Sequence, residues 1–175
     1  IQGVTDYDAK GTFMVKKVSE RIVLAGNRIE NTGMDGIKGY AVNNVRVVGN
    51  FIANTSQTKH GMEQAIDFMD SGNVRIARNL VARNKIGLVA KGGSSNITVI
   101  GNNFAGPFEW TAISSEPAGE KYYAWHALNN TAPYQVKNLL VVNNSISDGY
   151  VKSSGDAIVS GGCQNCSYID NKTAR

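Results

Sequence analysis

The sequence predicts an all-β solenoid of about six coils, built from short strands. One pattern occurs six times, the last time in a degraded form that ends in Thr173: apolar residues stand five and three positions before an Asn and two after it, as in Val45-x-Val47-x-x-Asn50-x-Ile52. Such alternation is typical of strands with one buried face. The steps between successive pattern asparagines are 23, 29, 23, 42 and 27 residues, and the shortest lies in the range of solenoid repeats.

The pattern asparagines are predicted to stack on one another. They are Asn27, Asn50, Asn79, Asn102, Asn144 and Asn171. Asn tolerates the left-handed backbone of a tight turn, and amides in successive coils, about 4.8 Å apart, can hydrogen-bond along the axis. We therefore expect a structural ladder of asparagine side chains with left-handed backbone at each rung.

A second column of aliphatic residues stands 13 or 14 positions before the pattern asparagines, except before Asn144, where the long step of 42 residues places it 31 positions away. Its members are Met14, Ile37, Ile66, Leu88, Ile113 and Ile158. This column predicts a second strand in every coil, and the apolar residue after each Asn predicts a third.

Composition and charge limit the classes of partner. The chain has 175 residues, and we expect one domain over residues 1–175. Its net charge of +4 is spread along the repeats, so we expect neither a nucleic-acid partner nor a membrane partner. Because the chain opens at Ile1 with no signal-peptide pattern, we expect a processed product or a piece of a longer protein.

The two cysteines form one CxxC motif, Cys163-Gln164-Asn165-Cys166. A zinc site would need a second pair of ligands, and no His lies near. The position of Cys166 in the repeat favours structural cysteines, with Cys166 in the core, over a disulfide in an oxidising compartment.

The repeated V-x-V-x-G-N-x-I-x-N units, together with the stretch from Ala90 to Val99, resemble the right-handed parallel β-helix proteins of the pectate-lyase-like superfamily. The resemblance extends from Phe13 to Thr173 and implies a single-stranded parallel β-helix with three strands per coil. It specifies no activity, because that superfamily includes lyases, hydrolases, epimerases, phage tailspikes and adhesins. No end cap is recognisable, so we expect a fragment of a longer solenoid, or a unit of a homo-oligomer or end-to-end stack.

The longest departure from the period is an inserted loop at residues 116–136. Insertions in solenoids map to loops on one side, which tend to bind ligands. The substrate-binding residues predicted on this loop and on a shorter one are Tyr122, Tyr123, Trp125, His126 and His60.

Polar residues that follow the aliphatic column are predicted to share the outer face of one sheet. They are Lys38, Tyr40, Asp67, Lys91 and Glu116. With the aromatic loop they would form a groove suited to a sugar chain, because a pyranose stacks on a ring while its hydroxyls bond to charged groups. The alternative is that these are solvated charges, paired weakly across neighbouring strands.

Among chemistries, lyase-type proton abstraction fits these residues best. Lys91 or Tyr40 would remove the proton beside a uronate carboxylate, Lys38 or a bound Ca²⁺ would neutralise that carboxylate, and Asp67 is the third catalytic candidate. Lys38 and Glu116 are also predicted to bind substrate. Hydrolysis is less favoured, because Asp67 and Glu116 are expected about 11–12 Å apart, beyond the range of about 5–9.5 Å for glycosidase carboxylates.

The sequence thus predicts a protein outside the cell, or on a cell or virion surface, that binds or processes a polysaccharide. If catalytic, it would be a lyase acting on a uronate-containing glycan. The alternative is a structural β-helix of a phage tailspike or tail fibre, a surface adhesin or an extracellular filament.

Overall fold

A computed structural model of the protein describes residues 4–7, 13–55, 57, 64–116, 135–147, 158–161 and 163–174. Within these ranges every regular element is a β-strand. The strands are β1 (Val4–Tyr7), β2 (Phe13–Lys17), β3 (Ser19–Ala25), β4 (Arg28–Glu30), β5 (Ile37–Tyr40), β6 (Val42–Val48), β7 (Phe51–Ala53), β8 (Gln64–Met69), β9 (Gly72–Ala77), β10 (Leu80–Lys91), β11 (Ser95–Ile100), β12 (Asn103–Glu116), β13 (Val136–Val142), β14 (Ser145–Ser147), β15 (Ile158–Ser160), β16 (Cys163–Gln164), β17 (Ser167–Ile169) and β18 (Lys172–Ala174).

The strands that precede the pattern asparagines form one parallel sheet, here called the ladder sheet. In it β3, β6, β9, β11 and β13 pair in chain order, and β16 and β17 both pair with β13 at the last level. The ladder sheet therefore has six levels, in agreement with the predicted number of coils.

The second parallel sheet covers the other two sides of each coil, because β10 and β12 continue around a corner. The first residues of β10 pair with β7 and its last residues pair with β8. The part of this sheet formed by β5, β8, the ends of β10 and β12, and β15 is here called the site sheet. Three strands per coil were predicted, and the structure confirms them.

The core lies where the predicted apolar columns meet inside the coils. Val45, Val47 and Ile52 are buried, as are Ile66 and Leu88 of the aliphatic column. Burial of such side chains from level to level supplies the main favourable free energy of a solenoid.

The asparagine ladder is present, and each rung donates from its side chain and from its backbone to the side-chain oxygen of the next asparagine. Asn50 Nδ2 donates to Asn79 Oδ1 over 2.9 Å, and the backbone N of Asn50 donates to the same oxygen over 2.9 Å. Asn79 repeats both contacts with Asn102. Asn79 Nδ2 also donates to the carbonyl oxygen of Val47. Since Asn79 is 2% exposed, the ladder satisfies polar groups that water does not reach.

The predicted backbone conformation of the ladder residues was wrong. The left-handed residue is the one before each ladder asparagine, for example Gly49 with φ 63° and Arg78 with φ 54°. The reason is that two successive residues of the turn have different roles. The left-handed residue reverses the chain, and the ladder asparagine after it keeps its side-chain amide pointing along the solenoid axis.

A second ladder, which the sequence did not reveal, runs along the start of the ladder sheet. Asn96 Nδ2 donates to Asn73 Oδ1 over 3.2 Å, and Asn138 Nδ2 donates to Asn96 Oδ1 over 2.9 Å. These three residues are exposed and left-handed, with φ of 52–54°. Left-handed asparagine therefore does occur in the coils, but at exposed positions near the start of the ladder-sheet strands.

Two expectations about the ends of the described chain were wrong. Met14 does not extend the aliphatic column, because β2 pairs antiparallel with β1 in a separate two-stranded sheet. The cysteines are not free, because Cys163 and Cys166 form a disulfide. Both are still partly buried against the core, which is where the repeat had placed Cys166.

The predicted loop at 116–136 begins where β12 ends and finishes where β13 begins. Residues 117–134 of that loop lie outside the described residues. In the described part of the chain, no helix is long and apolar enough to cross a membrane.

Replacing a central ladder residue, Asn79→Ala, is expected to lower the free energy of unfolding by about 3 kcal/mol, because it leaves buried donors and acceptors on both neighbouring coils without partners. Urea denaturation measures this. The matched control is Asn103→Ala, an exposed asparagine on β12, expected to change stability by less than about 0.5 kcal/mol. Equal losses in the two variants would contradict a ladder that stabilises the fold.

Candidate functional site

The outer surface of the site sheet brings three predicted site residues together. Lys38 on β5 pairs in register with Asp67 on β8, and Asp67 pairs with Val89 on β10, two residues before Lys91. Parallel strands lie about 4.8 Å apart, so long side chains from neighbouring levels can reach one acceptor. Coil stacking, and not proximity in sequence, creates this site.

Both lysines converge on a single carboxylate oxygen. Asp67 Oδ2 lies 3.2 Å from Lys38 Nζ and 3.3 Å from Lys91 Nζ. Lys91 Nζ also donates a hydrogen bond to Gln64 Oε1 over 3.0 Å. These residues, with Asp35, are here called the lysine–aspartate cluster.

Asp35 is a member of the cluster that the sequence did not single out. Its Oδ2 accepts a hydrogen bond from Lys38 Nζ over 3.0 Å, and its Oδ1 accepts one from the backbone N of Gln64 over 2.7 Å. The Asp35-Gly36 pair is a turn signal, which marks the corner but not the contact with the next coil. Asp35 thus links two levels of the solenoid and fixes the amino group of Lys38.

The side chains of the cluster differ in their exposure to solvent. The side chain of Asp67 is 2% exposed, that of Lys91 is 16% exposed and that of Lys38 is 50% exposed. A buried carboxylate requires opposite charges close by, and the two lysines supply them. The pKa of Lys38 is raised above its usual value: burial lowers it, but the attraction of Asp67 and the hydrogen bond and attraction of Asp35 together raise it by more. Lys38 is therefore a cation whose amino group solvent and ligands can reach.

The other oxygen of Asp67 is an acceptor with spare capacity. Asp67 Oδ1 is buried and makes no hydrogen bond within the part of the chain that the structure describes. A buried acceptor left in this state costs roughly 1–3 kcal/mol, which a ligand donor or an incoming proton would recover.

The other predicted residues of the site sheet are Tyr40 and Glu116, which lie at the C-terminal ends of their strands. Tyr40 pairs in register with Met69, Met69 with Lys91, and Lys91 with Glu116. Tyr40 is buried, including its hydroxyl oxygen. Glu116 Oε1 accepts a hydrogen bond from Ser114 Oγ over 3.2 Å.

The predicted aromatic and histidine residues cannot be placed against this cluster. His60, Tyr122, Tyr123, Trp125 and His126 lie outside the described residues. Their assignment to substrate binding stays a prediction.

A calcium ion does not fit the described cluster. Calcium takes six to eight oxygen ligands, whereas here the oxygen Oδ2 of Asp67 faces two ammonium groups. Among the described residues, no group of three or more His, Cys, Asp or Glu could hold a metal ion. Lys38 already supplies the positive charge that calcium would bring.

An open depression of about 360 Å³ borders Lys38 at the first level of the solenoid. Its lining is Leu24, Asn27, Arg28, Ile29, Gly36, Ile37 and Lys38. It combines apolar side chains with the two cationic residues Arg28 and Lys38.

Comparison with known proteins defines the class. The family described as the right handed beta helix region matches residues 5–108, more than half of the chain, and the protein belongs to this family. The predicted right-handed parallel β-helix is thereby confirmed. No curated protein matches the sequence significantly.

Solved structures with this fold include polysaccharide-acting proteins. The periplasmic alginate epimerase AlgG is 17% identical with a TM-score of 0.61, over 91% of this chain and 37% of that one. The Azotobacter vinelandii mannuronan C-5 epimerase AlgE4 A-module is 13% identical with a TM-score of 0.57, over 89% and 54%. The chain therefore spans just over a third of the AlgG structure. At these identities the likeness establishes the fold.

The raised pKa of Lys38 predicts a stability change at alkaline pH. The stabilisation is complete below the unfolded-state pKa of 10.5 and is lost as pH rises through the higher folded-state pKa. Because Lys38 is half exposed, we expect a loss of less than about 1 kcal/mol. The measurement is urea denaturation of the native protein and of Lys38→Gln at pH values from below 10.5 upward. The difference between their free energies of unfolding should become smaller as the pH rises.

The control for this measurement is Lys137→Gln, which removes an exposed lysine from β13 in the ladder sheet. If Lys137→Gln changes the pH dependence of the free energy of unfolding as much as Lys38→Gln does, the effect comes from the net charge of the protein and not from the cluster.

Proposed function

We propose that the protein binds a uronate-containing polysaccharide at the lysine–aspartate cluster and processes it by removing the proton beside the carboxylate. The observation that carries this proposal is the convergence of Lys38 and Lys91 on the buried carboxylate of Asp67. Proton abstraction next to a carboxylate needs a cation to neutralise the substrate, an acceptor for the proton and a proton donor, and the cluster contains all three types of group.

Lys38 is assigned to bind the substrate carboxylate. It is the most exposed charge of the cluster, and its raised pKa keeps it protonated at neutral pH. Neutralising the uronate carboxylate makes the hydrogen on the neighbouring carbon more acidic, because the negative charge that develops is stabilised. The depression beside Lys38 offers room for that group.

Asp67 is assigned to accept the proton, through the oxygen Oδ1 that has spare acceptor capacity. This oxygen is buried, so a local movement has to expose it before a substrate reaches it. Lys91 was a candidate base, but its Nζ donates to Gln64 and pairs with Asp67, so its described contacts suit a proton donor. Tyr40, whose hydroxyl is equally buried, is the alternative base.

The carbanion formed on the sugar has two outcomes with the same first step. Expulsion of the neighbouring glycosidic oxygen, which takes a proton as it leaves, gives an unsaturated sugar and a shortened chain. Return of a proton to the opposite face of the same carbon gives the epimer. Lyase and epimerase activities therefore share the roles of Lys38 and Asp67, and the position of the proton donor separates them.

We also propose that the protein acts outside the cytoplasm, as an extracellular, surface or periplasmic protein. The Cys163–Cys166 disulfide persists in an oxidising compartment. AlgG, which shares the fold, is a periplasmic enzyme.

The second candidate is a structural β-helix without catalysis, such as a tailspike, adhesin or filament subunit. The observation that favours it is that Asp35 and Asp67 balance Lys38 and Lys91 in charge. Buried charges must be paired, and the charges of this cluster are paired with one another. In this candidate the cluster has the sole role of joining neighbouring coils.

The test is incubation with a panel of uronate polysaccharides in deuterated water. Absorbance detects the double bond of a lyase product, and NMR detects deuterium at the abstracted position and inversion of the carbon. We expect one of these signals, and a loss of at least about a hundredfold in Lys38→Ala and in Asp67→Asn.

The control variant is Lys137→Ala, which lies in the other sheet and should keep full activity. If the native protein produces neither unsaturation nor deuterium uptake on any substrate, the structural candidate takes first place.

A further inference from the structure

Trp110 is a large aromatic side chain that the fold leaves open to solvent. It lies on β12, the strand that ends at Glu116, and it is 38% exposed. Its neighbours Phe108 and Thr111 on the same strand are 1% and 5% exposed. Tryptophan is highly buried on average, so an exposed one on a strand whose other residues here are buried or partly buried is an unusual placement.

Trp110 lies at a β-bulge between β10 and β12. The offset between paired residues of β10 and β12 is 23 at Ala82–Ala105, 24 at Asn84–Phe108 and 25 at Ile86–Thr111. At the second shift, Lys85 alone stands opposite the two residues Glu109 and Trp110. Bulges of this type occur next to binding and active sites, where they redirect a side chain.

The groups around Trp110 match the requirements of a sugar. Glu109 and Lys85 are both partly buried and flank the same bulge, so an aromatic face lies beside one negative and one positive side chain. A pyranose ring presents apolar C–H groups on its face and hydroxyls at its edge, which suits this combination.

The position of Trp110 relates this surface to the lysine–aspartate cluster. Trp110 precedes Ser114 by four residues, which is roughly 13 Å along a straight strand. Ser114 pairs with Val89 and Val89 pairs with Asp67, so Ser114 and Asp67 lie two levels apart. With about 4.8 Å between levels, and because β12 turns a corner near the bulge, Trp110 lies at most roughly 16 Å from Asp67. A glycan that contacts both is therefore an oligosaccharide whose path crosses the buried stretch from Ala112 to Ser115.

We infer that Trp110 forms a second saccharide subsite, in which its indole stacks on a sugar ring of the same glycan whose uronate group is held at the cluster. Glu109 and Lys85 flank that ring and bind its hydroxyls. The inference rests on the proposed function, because the ligand is the same polysaccharide, but it adds a binding element that chemistry at Asp67 does not need. The subsite predicts a preference for oligosaccharides over single uronates.

Fluorescence can test this, because the protein has two tryptophans. Trp125 is itself a predicted substrate-binding residue, so it is left in place, and the emission of Trp110 is taken as the difference between the native protein and Trp110→Phe. Both proteins are titrated with alginate and polygalacturonate oligosaccharides and, separately, with the monosaccharides. We expect a saturable change of Trp110 emission with oligosaccharides, and protection of that emission from acrylamide quenching.

Affinity is measured in parallel by calorimetry on Trp110→Ala and Trp110→Tyr. The alanine variant is expected to bind oligosaccharides roughly tenfold more weakly, equivalent to about 1.4 kcal/mol, while the tyrosine variant, which keeps an aromatic face, stays within about threefold of the native protein. Circular dichroism confirms that both variants keep the β-helix.

The outcomes separate the two proposals. If oligosaccharides bind with unchanged affinity to Trp110→Ala and leave Trp110 emission unchanged, the subsite is overturned while the uronate site stands. If Lys38→Ala abolishes turnover but the Trp110 signal remains, both are supported. If the native protein binds none of the saccharides, both fail.

Discussion

The asparagine ladder couples each coil to the next at a corner where strand pairing is interrupted. The oxygen of an inner rung accepts hydrogen bonds from the side-chain and backbone nitrogens of the preceding rung, and its side-chain nitrogen donates to the oxygen of the following rung, as Asn79 does between Asn50 and Asn102. Buried backbone groups at a turn would otherwise have no partner. Because the ladder fixes the register of the coils, it also determines which residues of distant strands face each other on the site sheet.

The lysine–aspartate cluster is a consequence of that register. Asp67 is buried on the outer side of a sheet, an unfavourable position that only the amino groups of the levels before and after it can compensate. The pairing holds neighbouring coils together, and it leaves Asp67 Oδ1, which makes no hydrogen bond among the described residues, in the same carboxylate that pairs with the half-exposed Lys38. The proposed chemistry therefore depends on the same contacts that hold the coils in register.

Departures from the repeat have a different physical role from the repeat itself. The β-bulges of β12 displace its outer side chains relative to β10 and leave Trp110 open, although the strands on both sides of the bulge remain paired. A regular coil satisfies its own hydrogen bonds and buries its own apolar residues. Extra residues are therefore the ones available for a ligand.

The sequence by itself determined the coil, because period-two alternation and the recurring asparagine specify which residues are core and which residue forms each rung. It also placed Lys38, Asp67 and Lys91 on one face. Only the tertiary structure decided that Asp35 joins them, that Cys163 and Cys166 pair, that Met14 leaves the column and that Trp110 is exposed. These depend on register shifts, turn geometry and contacts between coils, which a one-dimensional pattern does not encode.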